Sequence, residues 1–494
     1  MFYHSTRDVN NFVTSKQAIL TGIAPDGGLY VSDELGKEQL DLAALPAQTY
    51  HEHARAVLGM LLSDYTSEEI ASCVAGAYAD NFDTPDVTPV TPLGSDWLLE
   101  LYHGPTCAFK DVALQMLPRL MSVARDPEGD RIMIVTATSG DTGKAALSGF
   151  CDVPGIDIIV YYPKDGVSPV QEKQMLTQTG KNTCVVGVRG NFDDTQNGVK
   201  TIFSDQALNA DINAKGYQLS SANSINIGRL LPQVVYYFYS YCDLVRQGAI
   251  TCGDPVNFVV PTGNFGDILA GYYAALTGLP VNRFVCASNA NRVLTDFFET
   301  GKYNRKRPFY KTMSPSMDIL ISSNLERLLY DVSKDPEEVA QWMHALQSDG
   351  SYAVPDAIKA QTKKAFWGGF ADEAQTSAAI ADMFKNHGYL IDPHTAVASC
   401  VYDQYRDETG DTTPTIVLST ASPYKFATNV YKSIYGDIPE NLDDFDVLTA
   451  LSDATSTAIP KPLAGLADRP NLHDHVCGVD DMADSLQDFL NRLK

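Results

Sequence analysis

Lys110 sits in Leu99-Glu100-Leu101-Tyr102-His103-Gly104-Pro105-Thr106-Cys107-Ala108-Phe109-Lys110-Asp111-Val112-Ala113-Leu114-Gln115-Met116-Leu117, a turn running into a helix. Gly104-Pro105 breaks the chain and Thr106 is placed to cap. The helix is predicted from Ala108 to about Met121, with Pro118 as a kink within it or an earlier end. Phe109, Val112, Met116 and Leu120 form one stripe, and Leu114, Leu117 and Met121 share the stripe of the lysine. A helix apolar nearly all round is a buried one, so Lys110 is an ammonium at the mouth of a core element. Burial lowers a lysine pKa, and a partly neutral lysine is a nucleophile and a Schiff-base former. Taken alone, Lys110 has a plainer alternative: it pairs with a neighbouring acid or extends its head to solvent.

Two further segments share one logic. The strand predicted at 131–138 runs into Ser139-Gly140-Asp141-Thr142-Gly143 and a helix. The strand predicted at 256–262 runs into Gly263-Asn264-Phe265-Gly266-Asp267 and a second helix. Strand, glycine-bearing turn and helix N-terminus make an anion site, because free N–H groups and the helix dipole converge there. Either turn alone is common in α/β proteins. Thr138 stands where a Walker loop needs its first glycine and Ala145 where it needs Ser or Thr. No Gly-x-Gly-x-x-Gly follows either strand. ATP and NAD are disfavoured, and a smaller phosphate ester remains.

Elements that hold these segments follow from the rest of the chain. Its 494 residues are enough for two or three domains. A formal charge of −24 argues against nucleic acid or an anionic membrane as partner. An anionic ligand must then be held by local donors. No apolar stretch approaches a membrane helix, and Met1 to Arg7 show no signal pattern, so the expected compartment is the cytoplasm. Nine scattered cysteines without a Cys-x-x-Cys pair fit reduced thiols. His473-Asp474-His475 reads as a solvated loop, and no metal is expected. Residues from about Thr49 to Asn81 read as helices. From Leu93 to about Leu279, strands at 131–138, 156–162, 183–188 and 256–262 alternate with helices, which implies a parallel sheet. Further strands are predicted at 284–287 and 415–420, with mostly helical sequence between them, including Pro336 to Leu346 and Asp372 to Asn386. The acidic run Glu440 to Asp446 reads as a solvated surface.

Assembled, these pieces closely resemble threonine synthase, of the fold-type II pyridoxal phosphate enzymes. The resemblance runs through Ser5-Thr6-Arg7, Gly22 to Tyr30, the Gly104-to-Gln115 lysine motif, Ser139 to Gly143, Ser221 to Arg229, Gly263 to Gly266, Pro315 to Leu320, Asp392 to Ala396 and Ser419 to Pro423. Single motifs of the set are shared with serine and threonine dehydratases and cysteine synthases; the combination in this order is specific. In one departure, many members carry His where Ser422 stands.

The resemblance implies an α/β fold of the tryptophan synthase β type, with parallel sheets flanked by helices in two core domains plus an N-terminal domain. It divides the chain into an N-terminal domain (1–92), a large cofactor domain (93–130 and 206–435), a small α/β domain (131–205) and a C-terminal segment (436–494) packing on the large domain. Lys110 takes the place of the lysine that carries pyridoxal 5'-phosphate. Gly263, Asn264, Phe265, Gly266 and Asp267 take the place of its phosphate loop, and Thr420 that of the pyridine nitrogen's partner. A neutral hydroxyl at Thr420 leaves that nitrogen largely unprotonated. Thr138, Asp141 and Thr142 lie on the substrate-gripping loop, with Asp141 also counted beside the cofactor. Asn223, Ser224 and Arg229 match residues that bind the substrate's phosphate group. Read without the family, Asn223 and Ser224 are a helix cap, Asp141 an N-cap, Thr420 a strand end and Arg229 a surface ion pair.

The implied reaction is loss of phosphate from O-phospho-L-homoserine and addition of water to give L-threonine, the last step of threonine biosynthesis. The alternative is a phospholyase or dehydratase of the same fold that releases a keto acid and ammonia. The expected partner is the small-molecule substrate, with no nucleic acid or membrane, and the expected state is a monomer or weak dimer.

Overall fold

The computed structural model describes residues 1–493, the side chain of Asp193 excepted. Two sheets organise it. The larger has six strands in the order Phe366–Phe370, Val281–Ser288, Val256–Pro261, Thr415–Ser419, Asp96–Glu100 and Val90–Leu93. All neighbours are parallel except the last pair, a hairpin in which Leu93 faces Asp96. The smaller has five parallel strands, ordered Val476–Gly478, Thr183–Arg189, Ile156–Pro163, Arg131–Ala137 and Tyr217–Ser220. Ile156–Pro163 is buried at every position, as a parallel strand covered on both faces must be.

Five of the predicted strands form within a residue of their expected ends, and the sixth, expected at 284–287, runs from Val281 to Ser288. In these two sheets five other strands were not expected: Val90–Leu93, Asp96–Glu100, Tyr217–Ser220, Phe366–Phe370 and Val476–Gly478. These are short or carry Pro92, Gly368 and Gly369, so pairing rather than propensity makes them strands. Two of them correct the expected division of the chain. Tyr217–Ser220 forms one edge of the smaller sheet, so that unit does not stop at 205. Val476–Gly478 forms the other edge, and Leu486 and Leu490 of helix Met482–Arg492 pack into its core with Ile159 and Val186. Only the earlier part of the C-terminal segment, helix Asp444–Thr455, rests on the larger unit, where Val447 and Leu451 meet Val430. The segment therefore straddles both units.

Two N-terminal helices, Tyr50–Leu61 and Ser67–Tyr78, each start with a capping box, Thr49 with Glu52 and Thr66 with Glu69. They and the turn between them grip helix Lys110–Ala124, through the Tyr78 hydroxyl on the Val112 carbonyl (3.0 Å) and the hydroxyl of Tyr65, in that turn, on the Leu120 carbonyl (3.0 Å). Arg7 ties the N-terminus to Glu326 with two bonds of 2.8 Å.

Helix Asp141–Phe150 lies against helix Lys110–Ala124 at Gly149. A Cβ there would stand 1.8 Å from the Leu114 carbonyl oxygen, which is backbone and cannot swing aside. Gly149→Ala is thus expected to push the two helices apart and to destabilise the protein by about 1–3 kcal/mol. Because one helix starts at Lys110 and the other at Asp141, cofactor affinity should fall with it. Denaturant unfolding and a cofactor titration check both; an unchanged midpoint would show that the contact is looser than this geometry.

Candidate active site

Lys110 is the first residue of helix Lys110–Ala124, and the turn before it is fixed from three sides. Cys107 is left-handed, with φ of 60°. The Thr106 N–H and hydroxyl both donate to the Asp111 carboxylate, at 2.8 and 2.6 Å. Thr106 therefore holds the turn through Asp111 and does not cap the helix, whose first turn has no side-chain cap. The Phe109 N–H donates to the Thr420 carbonyl (2.8 Å) and the Ser422 N–H to the Cys107 carbonyl (3.0 Å), so the chain leaving strand Thr415–Ser419 clamps the lysine turn. Ser422 has a local task besides: its hydroxyl accepts from the Tyr424 N–H at 3.3 Å.

The Lys110 amine is buried and donates to the Ser316 hydroxyl at 3.1 Å. That hydroxyl donates to Asp141 Oδ2 at 3.3 Å, and Lys110 Nζ lies 4.0 Å from the same oxygen. The other oxygen of Asp141 is already taken by the enclosed Lys425 ammonium (2.8 Å) and the Gln171 amide (3.0 Å). Lys425 also donates to the Thr106 carbonyl at 2.8 Å. Burial alone would raise the Asp141 carboxyl, but Lys425 and then Lys110 hold it well below the usual range. Lys110 itself is pushed down to about 8, chiefly by burial. Asp141 opposes the shift, while Arg229 and Lys425 reinforce it. Behind Ser316, its N–H donates to His394 Nε2 (3.1 Å), which places the ring proton on Nδ1, 2.6 Å from Asp392.

The second turn meets the same place. A Cβ on Gly263 would lie 2.5 Å from the Ser316 carbonyl oxygen. Phe265 is left-handed, and helix Gly266–Leu276 opens with no side-chain cap. The N–H groups of Gly263, Asn264 and Phe265 donate to no protein group among the described residues. Asp267 turns its carboxyl inward onto the hydroxyls of Tyr236 (2.5 Å) and Tyr237 (2.9 Å), and burial pushes it up to about 6. Only the backbone of Asp267 is left to serve an anion.

Arg229, on helix Ile227–Arg246, is no surface residue: it is buried, its Nη1 donates to the Ala222 carbonyl (2.9 Å), and its Nε has no partner. Among the described residues no carboxylate lies within 4.0 Å of it, and burial lowers it to about 10. Asn223 and Ser224 are half-buried, and neither caps that helix; Asn226 does, accepting from the Gly228 N–H at 2.9 Å. Asp141 is the first residue of its helix rather than the cap, which is Gly140. The Thr138 hydroxyl accepts from the N–H groups of Gly140 (3.0 Å) and Gly143 (2.8 Å), shaping the loop, and Thr142 is half-buried. Lys425, Gln171, Ser316 and His394 went unassigned in the sequence. Ser316 and His394 lie inside quoted motifs; Lys425 and Gln171 carry no local signal.

Comparison with known proteins bears on this constellation. Residues 2–78 match the threonine synthase N terminus, 88–360 the pyridoxal-phosphate dependent enzyme family and 395–484 the threonine synthase C-terminal region. Threonine synthase of Pseudomonas aeruginosa is 38% identical over 89% of this chain and 92% of its own length. The chain belongs to the threonine synthase family. Within the family, the crystal structure of the PLP-bound threonine synthase from Brucella melitensis has a TM-score of 0.88 at 35% identity, over 100% of this chain and 99% of that one. Threonine synthase-like 1 of Macaca fascicularis is 40% identical over 87% of this chain, which spans only 59% of that relative's length. The fold is that of the fold-type II pyridoxal phosphate enzymes, as expected.

The residues present suit pyridoxal phosphate, the cofactor of this family. A buried amine lowered to about 8 faces a turn whose Gly263 has no room for a side chain and whose N–H groups are unpaired. Among the described residues no group of three or more His, Cys, Asp or Glu is arranged to hold a metal, and no helix is long and apolar enough to cross a membrane.

Proposed function

We propose that this protein is a threonine synthase, converting O-phospho-L-homoserine and water to L-threonine and phosphate. The observation that carries the reading is a buried Arg229 without an acidic partner beside a buried Lys110 of lowered pKa. A guanidinium left unpaired in the interior is a site awaiting an anion. Pyridoxal phosphate, when bound, supplies the electron sink. Lys110 would carry the cofactor and, once freed by the substrate's amino group, move protons at Cα and Cβ. Ser316 orients its amine, and Asp141, kept ionised by Lys425, fixes the geometry. The N–H groups of Gly263 to Asp267 would hold the cofactor phosphate, with Thr420 at the pyridine nitrogen. Asn223, Ser224 and Arg229 would bind the substrate phosphate and retain it after it leaves, while Thr138 and Thr142 would belong to the loop that grips the substrate. The reading implies a cytoplasmic monomer or weak dimer.

Incubation of the holoenzyme with O-phosphohomoserine tests it. Threonine and phosphate should appear in equal amounts; keto acid and ammonia in place of threonine would assign the chain to the phospholyase reaction.

Lys425 gives a further expected result. It lowers Lys110 directly and occupies the carboxylate that would otherwise pair with it. In the cofactor-free protein, Lys110 should react with acetic anhydride with an apparent pKa near 8, and Lys425→Met should move that midpoint upward. A midpoint that stays in place would remove Lys425 from the control of Lys110.

A further inference from the structure

On the far side of the lysine turn lies a second cavity, of about 470 Å³, bounded by Gly104 to Cys107, the end of the N-terminal domain, helices Asp141–Phe150 and Pro169–Leu176, and residues 461–469 of the C-terminal segment. None of Lys110, Asp141, Arg229 or Gly263 to Asp267 lines it. Three cations do: Lys144, Lys461 and Arg469. In a chain of net charge −24 this is a local reversal of sign, and among the described residues no carboxylate lies within 4.0 Å of any of the three. The acids at the rim do not neutralise them: Asp83 is engaged by His103 at 2.6 Å, and Asp80 is exposed. Lys144 keeps one bond, to Gln178 Oε1 at 2.5 Å, which leaves two of its N–H groups free. Burial, opposed by Asp111 and helped by Lys425 and then Arg469, takes the Lys144 ammonium down to about 8. Beside Lys144, Gln174 is 2% exposed and its Oε1 has no partner. Mutually repelling cations and an orphaned acceptor in one wall are each unfavourable unless a ligand completes them.

The geometry points to a binding site for a small phosphate monoester that also carries an O–H or N–H donor, seated between Lys144, Lys461 and Arg469 with its donor on Gln174. Three cations match a dianion, the volume exceeds that of free phosphate, and the space left over admits an alkyl part whose hydroxyl or amine can donate to Gln174 Oε1 while all three phosphoryl oxygens stay on the cations. The occupant would rest on Cys107, three residues before Lys110.

Titration calorimetry of Arg229→Ala holoenzyme near neutral pH tests this apart from the catalytic phosphate seat. Glycerol 3-phosphate is the probe, with inorganic phosphate as the second arm. Saturable binding of glycerol 3-phosphate is expected, stronger than that of phosphate. It should weaken by roughly tenfold or more in the Lys461→Gln/Arg469→Gln background. Both positions are exposed, so these variants keep the fold, and with Arg229 intact they should keep basal threonine formation. Absence of saturable binding, or binding indifferent to the double variant, overturns the site. Equal affinity for phosphate and glycerol 3-phosphate overturns the assignment to an ester.

Discussion

Replacing Lys110 by alanine should leave a folded protein whose turnover falls by about a thousandfold or more. The amine is asked to do two things, to carry the cofactor and to move protons, and loss of proton transfer alone is worth roughly a hundred- to ten-thousandfold. The fold should survive because removing a buried ammonium relieves its desolvation cost, and because Thr106, Asp111 and the Thr420 and Cys107 carbonyls hold the turn without it. Cofactor should still bind without a covalent link through the turn at Gly263 to Asp267, and borohydride should no longer fix it to the protein. Activity above a few per cent would mean that another lysine carries the cofactor; Lys425, the nearest enclosed candidate, is the one to map by peptide analysis.

The second large effect is expected at Arg229. Arg229→Ala should retain cofactor and weaken O-phosphohomoserine by roughly thirtyfold or more, since losing one partner of a desolvated charge pair costs about 2–5 kcal/mol. Asn264→Asp should do the reverse, because it sets a carboxylate beside a dianion and leaves Arg229 intact. A cofactor titration and a substrate-affinity measurement on both variants separate the two seats; if the Arg229 variant sheds cofactor and keeps substrate, the assignments are exchanged. Stability gives an independent reading. Arg229 is held without an acid against the cost of burial, so Arg229→Met, which fills the space, should raise the melting temperature of the ligand-free protein while abolishing substrate binding.

Sequence and structure agree where the signal is local. The all-round apolar helix after Gly104-Pro105 announces a buried lysine, and local spacing announces two glycine-bearing strand-to-helix turns, because short-range periodicity and turn chemistry generate both. What escaped was made by distant partners. Lys425 reads as an ordinary lysine after Pro423-Tyr424, yet it meets Asp141 and Thr106 across some three hundred residues of chain. Gln171 completes a capping box with Ser168 at a helix start, and its amide also donates to Asp141, thirty residues away. The Phe366–Phe370 strand contains two glycines and declares itself only beside Val281–Ser288. Thr106 and Asn223 are plausible caps by residue type, but the Thr106 hydroxyl is spent on the Asp111 carboxylate, and Asn226 rather than Asn223 accepts from the Gly228 N–H.

The place of strand Thr415–Ser419, between Val256–Pro261 and Asp96–Glu100, has a consequence for how the molecule comes into being. On the ribosome, the Val90–Glu100 hairpin and the lysine turn emerge early, with one sheet edge open and no Thr420 or Lys425 to close over them. At about 5–20 residues per second, the intervening three hundred or so residues take roughly 15–60 s to be made. During that interval the nascent chain carries an unpaired parallel edge and a half-built pocket around a reactive amine. Val476–Gly478 is later still, adding the last edge strand to the other sheet. A late-arriving central strand such as Thr415–Ser419 makes such a chain a natural client for holding chaperones, and it keeps the amine from forming its finished site until translation is nearly over.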